Sequence, residues 1–203
     1  MYQLPHFIEE DPQQVIRFMK QHNFAMVTAI GNPYPVATQL PLEIIEEPGK
    51  IILSGHFMRN TAHHKAFEKN ADVLVIFYSP HAYIDANWYG NPGQASTVNY
   101  ITVQATGIMH LLNSKDSVNT LREVTDRHIG KGTAASFENL PADYVNQMAK
   151  AIVGFTIEVK ELKNVFKLSQ NKNPDDYANI IRNLEQRAKP GDLYIAQKMK
   201  ERL

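Results

Sequence analysis

Two short polar runs carry the side chains best suited to hold a ligand. The first is Ser54-Gly55-His56, followed two residues later by Arg59-Asn60-Thr61. It joins a hydroxyl, a glycine that permits close approach, a guanidinium and the start of a short polar helix. Arginine grips phosphate through parallel N–H groups, and free helical N–H groups point at an anion. The alternative is an ordinary helix start with a solvated arginine. The second run is Lys167-Leu168-Ser169-Gln170-Asn171, in which four of five side chains hydrogen-bond. Such density can grip a polyol or the edge of a heterocycle. The alternative is a polar strand exit ahead of a helix cap.

Between them lies Ser79 to Gly107, an aromatic stretch that reaches the single tryptophan, Trp88, beside Tyr89. The Gly90-Asn91-Pro92-Gly93 turn breaks regular structure, because glycine accepts positive φ and proline lacks a donor. A loop pinned by aromatics is either a binding element or a plug at one end of a barrel. The eight histidines do not form a metal motif. His63 and His64 are adjacent, so on a helix they diverge by about 100° and cannot face one ion. No pair has the i, i+4 spacing of a helical zinc site, and cysteine is absent. Asp126-Arg127-His128 near a helix end reads either as a catalytic pair or, more commonly for such a placement, as a histidine favoured by the negative pole of the dipole. No Ser-His-Asp order, P-loop or GxGxxG is present.

The elements that must position these runs follow from periodicity. Asp11 and Pro12 start a helix that stacks Val15, Phe18, Met19 and His22 on one face. Phe24 to Ile30, Tyr34 to Glu46 and Lys50 to His56 read as three strands joined by Asn32-Pro33 and Pro48-Gly49 turns, an antiparallel meander. A short polar helix is expected within residues 57–70. Ala71 to Ser79 is continuously apolar and reads as a strand buried on both faces. From Thr97 to Ile108 the residue types alternate, which puts Ile101, Val103, Ala105 and Gly107 on one face of a long strand. Helices are expected over 114–129 and 142–152, a strand over 153–165, and a helix opened by Asn173-Pro174 with Tyr177, Ile180, Ile181 and Leu184 as its stripe. Pro190-Gly191 ends that helix, and a short charged helix finishes the chain. Strands first and helices later argue an α+β fold around an antiparallel sheet or barrel.

With 203 residues the chain can bury a substantial core as one domain, residues 1–203, with a helical insertion near 114–152 and C-terminal helices near 174–203. Lysine plus arginine and aspartate plus glutamate are 21 each, so no global charge attracts nucleic acid or anionic membrane. The lack of cysteine suits a reducing cytoplasm. No signal-peptide pattern opens the sequence, and no apolar run approaches a membrane span. A soluble cytoplasmic protein is expected. No helix pair combines a tight turn with a basic recognition face, which argues against direct DNA binding through a helix-turn-helix.

The order of FAMVTAIGNPYPVATQLPL, SPHAYIDANWY, VNYITVQATG, REVTDRH, AIVGFTIEV and KLSQN resembles the PaiB family over nearly the whole chain. That family is described as FMN-binding negative transcriptional regulators within the FMN-binding split-barrel group. The resemblance implies a six-stranded antiparallel split β-barrel with flanking helices, and a homodimer with FMN at the subunit interface. It places the flavin phosphate near Ser54, Gly55, His56, Arg59, Asn60 and Thr61. The ring would run along Ala37, Thr38, Gln39 and Leu40. Lys167, Ser169 and Gln170 would close over it, and Trp88 and Asn99 stand within the shared motifs. Two departures fall in this region: Arg59 to His64 replaces an Ala-Asn-Pro-Gln-Trp-like run, and Val98 stands where tryptophan is usual. The alternative function is an FMN-dependent oxidoreductase of the pyridoxamine-phosphate-oxidase-like group acting on a small molecule.

Overall fold

The structure is a computed structural model that describes residues 4–91 and 93–203. Residues 1–3, and Pro92 of the expected Gly90–Gly93 turn, lie outside them. Eight strands form one antiparallel sheet: β1 (Phe24–Ala29), β2 (Val36–Pro41), β3 (Glu43–Glu47), β4 (Lys50–Met58), β5 (Asp72–Tyr78), β6 (Ala82–Ile84), β7 (Thr97–Leu111) and β8 (Ile152–Lys167). Their order is β2-β1-β5-β7-β8-β4-β3, with β6 paired to β7. Six helices accompany them: α1 (Pro12–Gln21), α2 (Ala62–Phe67), α3 (Ser114–Ile129), α4 (Ala142–Ala151), α5 (Pro174–Arg187) and α6 (Pro190–Lys200). The fold class is therefore the expected α+β split-barrel type, with eight strands instead of six.

Three expectations about the elements need correction. The single strand expected from Tyr34 to Glu46 is two, β2 and β3, broken at Leu42. There Pro41 supplies no donor, and the Leu42 N–H bonds across to the Asn23 carbonyl at 2.9 Å. β5 is not buried on both faces. Val73, Val75 and Phe77 point inward, whereas Leu74 and Ile76 are half-exposed. Pro190 and Gly191 open α6 and do not end α5, which stops at Ala188 in the left-handed region with φ 51°.

The chain divides into two compact units. The larger holds residues 19–76 and 105–162. Its core is Val27, Leu53, Phe57, Val75, Phe155 and Ile157, each at most 4% exposed. Two glycines set its spacing. A Cβ on Gly107 would lie 2.3 Å from the Glu158 carbonyl oxygen, and one on Gly55 would lie 2.9 Å from both Leu42 and Phe155 side chains. Gly55 is thus small because the core presses on it. The smaller unit holds residues 1–18, 77–104 and 163–203. Asn173 caps α5, accepting the Asp176 N–H at 2.8 Å, and Pro174 follows at the first helical position. The expected stripe Tyr177, Ile180, Ile181 and Leu184 is buried together with Ile195 and Met199 of α6. Full burial of each such aliphatic side chain contributes about 1.5–3 kcal/mol. Along β7 within this unit, the inward positions are Asn99, Ile101 and Val103, as the alternation predicts.

Candidate functional site

The sequence-predicted residues fall into two groups, one in each unit. In the larger unit, β4 carries Ser54 and His56 on one face, between inward-facing Leu53, Gly55 and Phe57. Among the described residues neither the Ser54 hydroxyl nor the His56 ring has a hydrogen-bond partner. Burial pulls the His56 imidazole below its ordinary pKa. The chain then turns at Asn60, whose φ is 63°, into α2. Thr61 caps that helix, accepting the His64 N–H at 3.2 Å and donating to the Met58 carbonyl at 3.0 Å. Asn60 donates its backbone N–H to His64 Nδ1 at 3.2 Å.

Arg59 is anchored by the end of α4. Its Nε donates to the Lys150 carbonyl at 3.1 Å and its Nη2 to the Ile152 carbonyl at 2.9 Å. Its backbone N–H reaches Ala151 at 2.8 Å. The guanidinium thus satisfies carbonyls that the helix end leaves open, and Nη1 remains unengaged. His63 is 5% exposed, stacked on Phe57 at 5.7 Å and near Phe67 at 4.8 Å between ring centroids. Neither ring nitrogen has a partner, and burial lowers its pKa to about 4. The neutral imidazole thus behaves as an aromatic core residue.

Ala37, Thr38, Gln39 and Leu40 lie on β2, which pairs only with β1 and so forms one edge of the sheet. Every second residue of an edge strand turns its backbone N–H and C=O outward. α2 packs beside this strand, and β2 also approaches β4, so β2 and the β4–α2 corner form one neighbourhood.

In the smaller unit, Asn99 is fully buried and bonded to Ser169: its Nδ2 donates to Ser169 Oγ at 2.9 Å, and Ser169 Oγ lies 3.2 Å from Asn99 Oδ1. Ser169 sits in the left-handed region at φ 63°. Gln170 folds back on its own segment, with Oε1 accepting the Leu168 N–H at 2.7 Å and Nε2 donating to the Phe166 carbonyl. The Lys167 ammonium bonds the Thr97 hydroxyl, and burial lowers its pKa.

Trp88 belongs to a structural cluster. Arg187 lies 4.8 Å over its ring and forms a fork with buried Asp192, both N–O distances being 2.7 Å. The same guanidinium donates to the Tyr83 carbonyl at 2.7 Å, and its hydrogen bonds hold the Asp192 carboxyl below the usual range. The Trp88 carbonyl accepts from Asn179 at 2.6 Å.

Lys167, Asn99 and Ser169 line a cavity of about 230 Å³. Its wall includes three residues absent from the polar runs as read from sequence: Thr97, Tyr89 and Lys172. Tyr89 was visible as half of the Trp88-Tyr89 pair. No local pattern announced Thr97 or Lys172, because they meet the others only through the packing of β7 and β8.

Solved structures with the same fold include the FAD and heme binding protein of Mycobacterium smegmatis, with a TM-score of 0.61 at 14% identity over 84% of this chain and 78% of that one. The flavocytochrome of Azotobacter vinelandii also scores 0.61, at 18% identity over 85% and 75% of the two chains. At such identities the likeness establishes the split-barrel fold alone. Residues 1–161 match the model of the "Putative FMN-binding domain" family. The Protease synthase and sporulation protein PAI 2 of Bacillus subtilis is 30% identical over 206 residues, covering 100% of this chain and 98% of that protein. The chain belongs to this FMN-binding family, as the resemblance to PaiB proteins anticipates, and FMN is the cofactor that goes with it.

Proposed function

We propose that the chain is an FMN-binding protein of the PaiB regulatory type, with the flavin held at β2 and the β4–α2 corner. The observation that carries this reading is the pair Ser54 and His56, two residues apart on β4 within the family-matched region, neither hydrogen-bonded among the described residues, on the strand face against which α3 packs. Arg59 adds a guanidinium already oriented by two backbone carbonyls, with Nη1 left to meet a phosphate. Asn60 and Thr61 flank that position, and the edge-strand backbone of Ala37 to Leu40 offers paired donors and acceptors to a flavin ring. The donor set therefore fits a phosphorylated heterocycle. When bound, FMN supplies one- and two-electron redox chemistry. The residues named here bind and orient it.

The regulatory role is inferred from the PaiB resemblance, with flavin as a bound ligand or redox sensor. Homodimerisation is part of the same proposal. On the larger unit Phe24 and Ile30 are 58% and 62% exposed, and Ile30, Leu74 and Ile108 line an open hollow of about 520 Å³. An exposed apolar sheet face of this kind is covered in stable proteins by another surface.

The deciding experiment is the absorbance spectrum of purified protein before and after addition of FMN, with light scattering on the same sample. A flavin spectrum retained through gel filtration, on a particle of twice the chain mass, is expected. A colourless protein that does not retain added FMN would sink the flavin reading, and a monomer would sink the dimer.

A further inference from the structure

The cavity at the exit of β8 holds Lys167 and Ser169, which the resemblance places over the flavin ring, and it is distinct from the corner proposed above for the phosphate. Ligand pockets for drug-sized molecules run upward from roughly 300 Å³. At about 230 Å³ this one has room for a small ion with a compact body, and not for an entire flavin mononucleotide. Four of its lining residues, Lys167, Ser169, Asn171 and Lys172, lie beyond residue 161, where the family match ends.

One hydroxyl in the wall lacks a hydrogen-bond partner, and two ammonium groups lack a countercharge. Tyr89 is 5% exposed, and its hydroxyl has no hydrogen-bond partner. Buried hydroxyls are ordinarily bonded, since leaving one dry and unpaired is costly. The Lys167 ammonium touches the Thr97 hydroxyl and lies 5.9 Å from the centre of the Phe7 ring. Lys172 lies 3.6 Å over the Tyr89 ring and donates to Gln94 Oε1 at 2.5 Å. Among the described residues neither lysine pairs with a carboxylate. Arg187, in the same unit, is fully matched by Asp192.

The nearby acids do not answer these cations. Asp176 accepts the Gly90 N–H at 2.7 Å and the Asn173 amide at 3.0 Å. Asp85 accepts the Asn87 N–H at 2.9 Å. Burial, and then those two carboxylates, raise the Tyr89 pKa, so the phenol keeps its proton and can donate it in a hydrogen bond. Two ammonium groups without a carboxylate partner and the side chain of Tyr89, whose buried hydroxyl is unpartnered, line a space walled by Leu4 and Phe7.

We infer that this cavity binds a small organic oxyanion, a carboxylate or phosphate on a compact apolar body, with Lys167 and Lys172 as countercharges and Tyr89 as hydrogen-bond donor. Asn99 and Ser169 form the rigid floor and position Lys167 through the same strand exit. The shared chemistry is the oxyanion, whose source is either a free metabolite or the phosphate of FMN itself.

Calorimetric titration separates these sources, using benzoate and inorganic phosphate in turn, at low salt, on the protein as purified and after FMN addition. The expected result is saturable binding that persists with FMN present. It weakens about tenfold or more in Tyr89→Phe and in Lys167→Gln, since each removes a hydrogen bond to a charged group. Riboflavin and FMN affinities stay at the parent values in Tyr89→Phe. Tyr89→Phe keeps the ring under Lys172, its melting temperature reports folding, and Lys172→Gln serves as the second variant. Absence of saturable binding up to about 10 mM ligand overturns the inference. Binding abolished by FMN, with FMN but not riboflavin affinity lost in Tyr89→Phe, assigns the oxyanion to the flavin phosphate and overturns a separate site. Binding unchanged in all three variants marks an adventitious ion only, and overturns it equally.

Discussion

The β4–α2 corner and the exit of β8 looked alike in sequence, each a dense run of hydrogen-bonding side chains, and the fold treats them differently. At the corner, Thr61 caps α2, His64 receives the Asn60 N–H, and Arg59 closes the end of α4. What stays without a hydrogen-bond partner among the described residues is Ser54 and His56, on the β4 face against which α3 packs, together with one edge of the Arg59 guanidinium. At the exit, Asn99, Ser169 and Gln170 bond one another or their own backbone. What stays unmatched there is two ammonium groups without a countercharge and one unpartnered hydroxyl, in the lining of a small cavity. Polar density marks where hydrogen bonds are made, while ligand preference follows from what remains once the fold has taken its share. The corner suits a flavin along a strand, and the exit suits a small anion in a cavity.

The largest effect should come from the framework of the smaller unit. Asp192 is 2% exposed and depends on the Arg187 fork for its charge. Removing one partner of a buried pair leaves an uncompensated charge and costs about 3–5 kcal/mol. Arg187→Ala should therefore lower stability by that amount in urea unfolding, and the Trp88 fluorescence should shift with it. A loss below about 1 kcal/mol would mean the pair is solvated and the framework soft.

The larger unit should show a pH dependence set by a buried histidine. His63 has a folded pKa of about 4, depressed by burial, against an ordinary value of 6.5. As pH falls through 6.5 the unfolded chain takes up a proton that the native ring refuses. Stability is thus complete above that pH, declines between 6.5 and 4, and levels off below. With allowance for water reaching the ring, the loss should total about 1–2 kcal/mol. His63→Phe fills the same stack with Phe57 and Phe67 and should remove the His63 share of this slope, leaving the part that buried His56 carries. A parallel slope in wild type and variant would place the titration on another group.

Much of this contrast was legible before any coordinates. The alternation along β7 placed Ile101, Val103 and Ala105 inward, and the Asn173-Pro174 signal placed the start of α5 to the residue. These are local signals, in which side-chain period and capping chemistry sit within one turn or strand. Arg59 was not legible in the same way, because its carbonyl partners stand 91 and 93 residues further along the chain. The break at Leu42 depended on a bond to Asn23, and the cationic cavity depended on bringing residues 89, 167 and 172 together. Only tertiary packing decides such partners. The half-exposed Leu74 and Ile76 illustrate the converse: a continuous apolar run reads as two-sided burial until the sheet is seen to leave one face open.

A smaller effect separates the two proposed sites directly. Arg59→Ala should reduce the preference for FMN over riboflavin by about three- to tenfold, roughly 0.6–1.4 kcal/mol, through loss of a phosphate contact. Benzoate or phosphate binding at the exit should stay at its parent value. The reverse pattern is expected for Tyr89→Phe. Equal loss for FMN and riboflavin in Arg59→Ala would move the phosphate away from the corner and leave Arg59 with its role at the end of α4.

The smallest effect belongs to Gln170, the residue whose type most suggested contact with a heterocycle. Its amide accepts from the Leu168 backbone and donates to the Phe166 carbonyl, so both ends are engaged within five residues of chain. A side chain held this way shapes the backbone that delivers Lys167 and Ser169, and keeps only the second N–H of Nε2 and the second lone pair of Oε1 for any other partner. Gln170→Ala should lower stability by about 0.5–1.5 kcal/mol, the usual net worth of an intramolecular hydrogen bond. FMN affinity should be unchanged, because the proposed flavin residues lie on β2, β4 and the start of α2. The sensitive measurement is the flavin reduction potential by dye equilibration. For a two-electron couple a shift of about 30 mV corresponds to about 1.4 kcal/mol, so an unmoved potential excludes any sizeable contact with the ring. A potential that shifts while stability holds would put Gln170 at the flavin after all and erase the distinction between the corner and the exit.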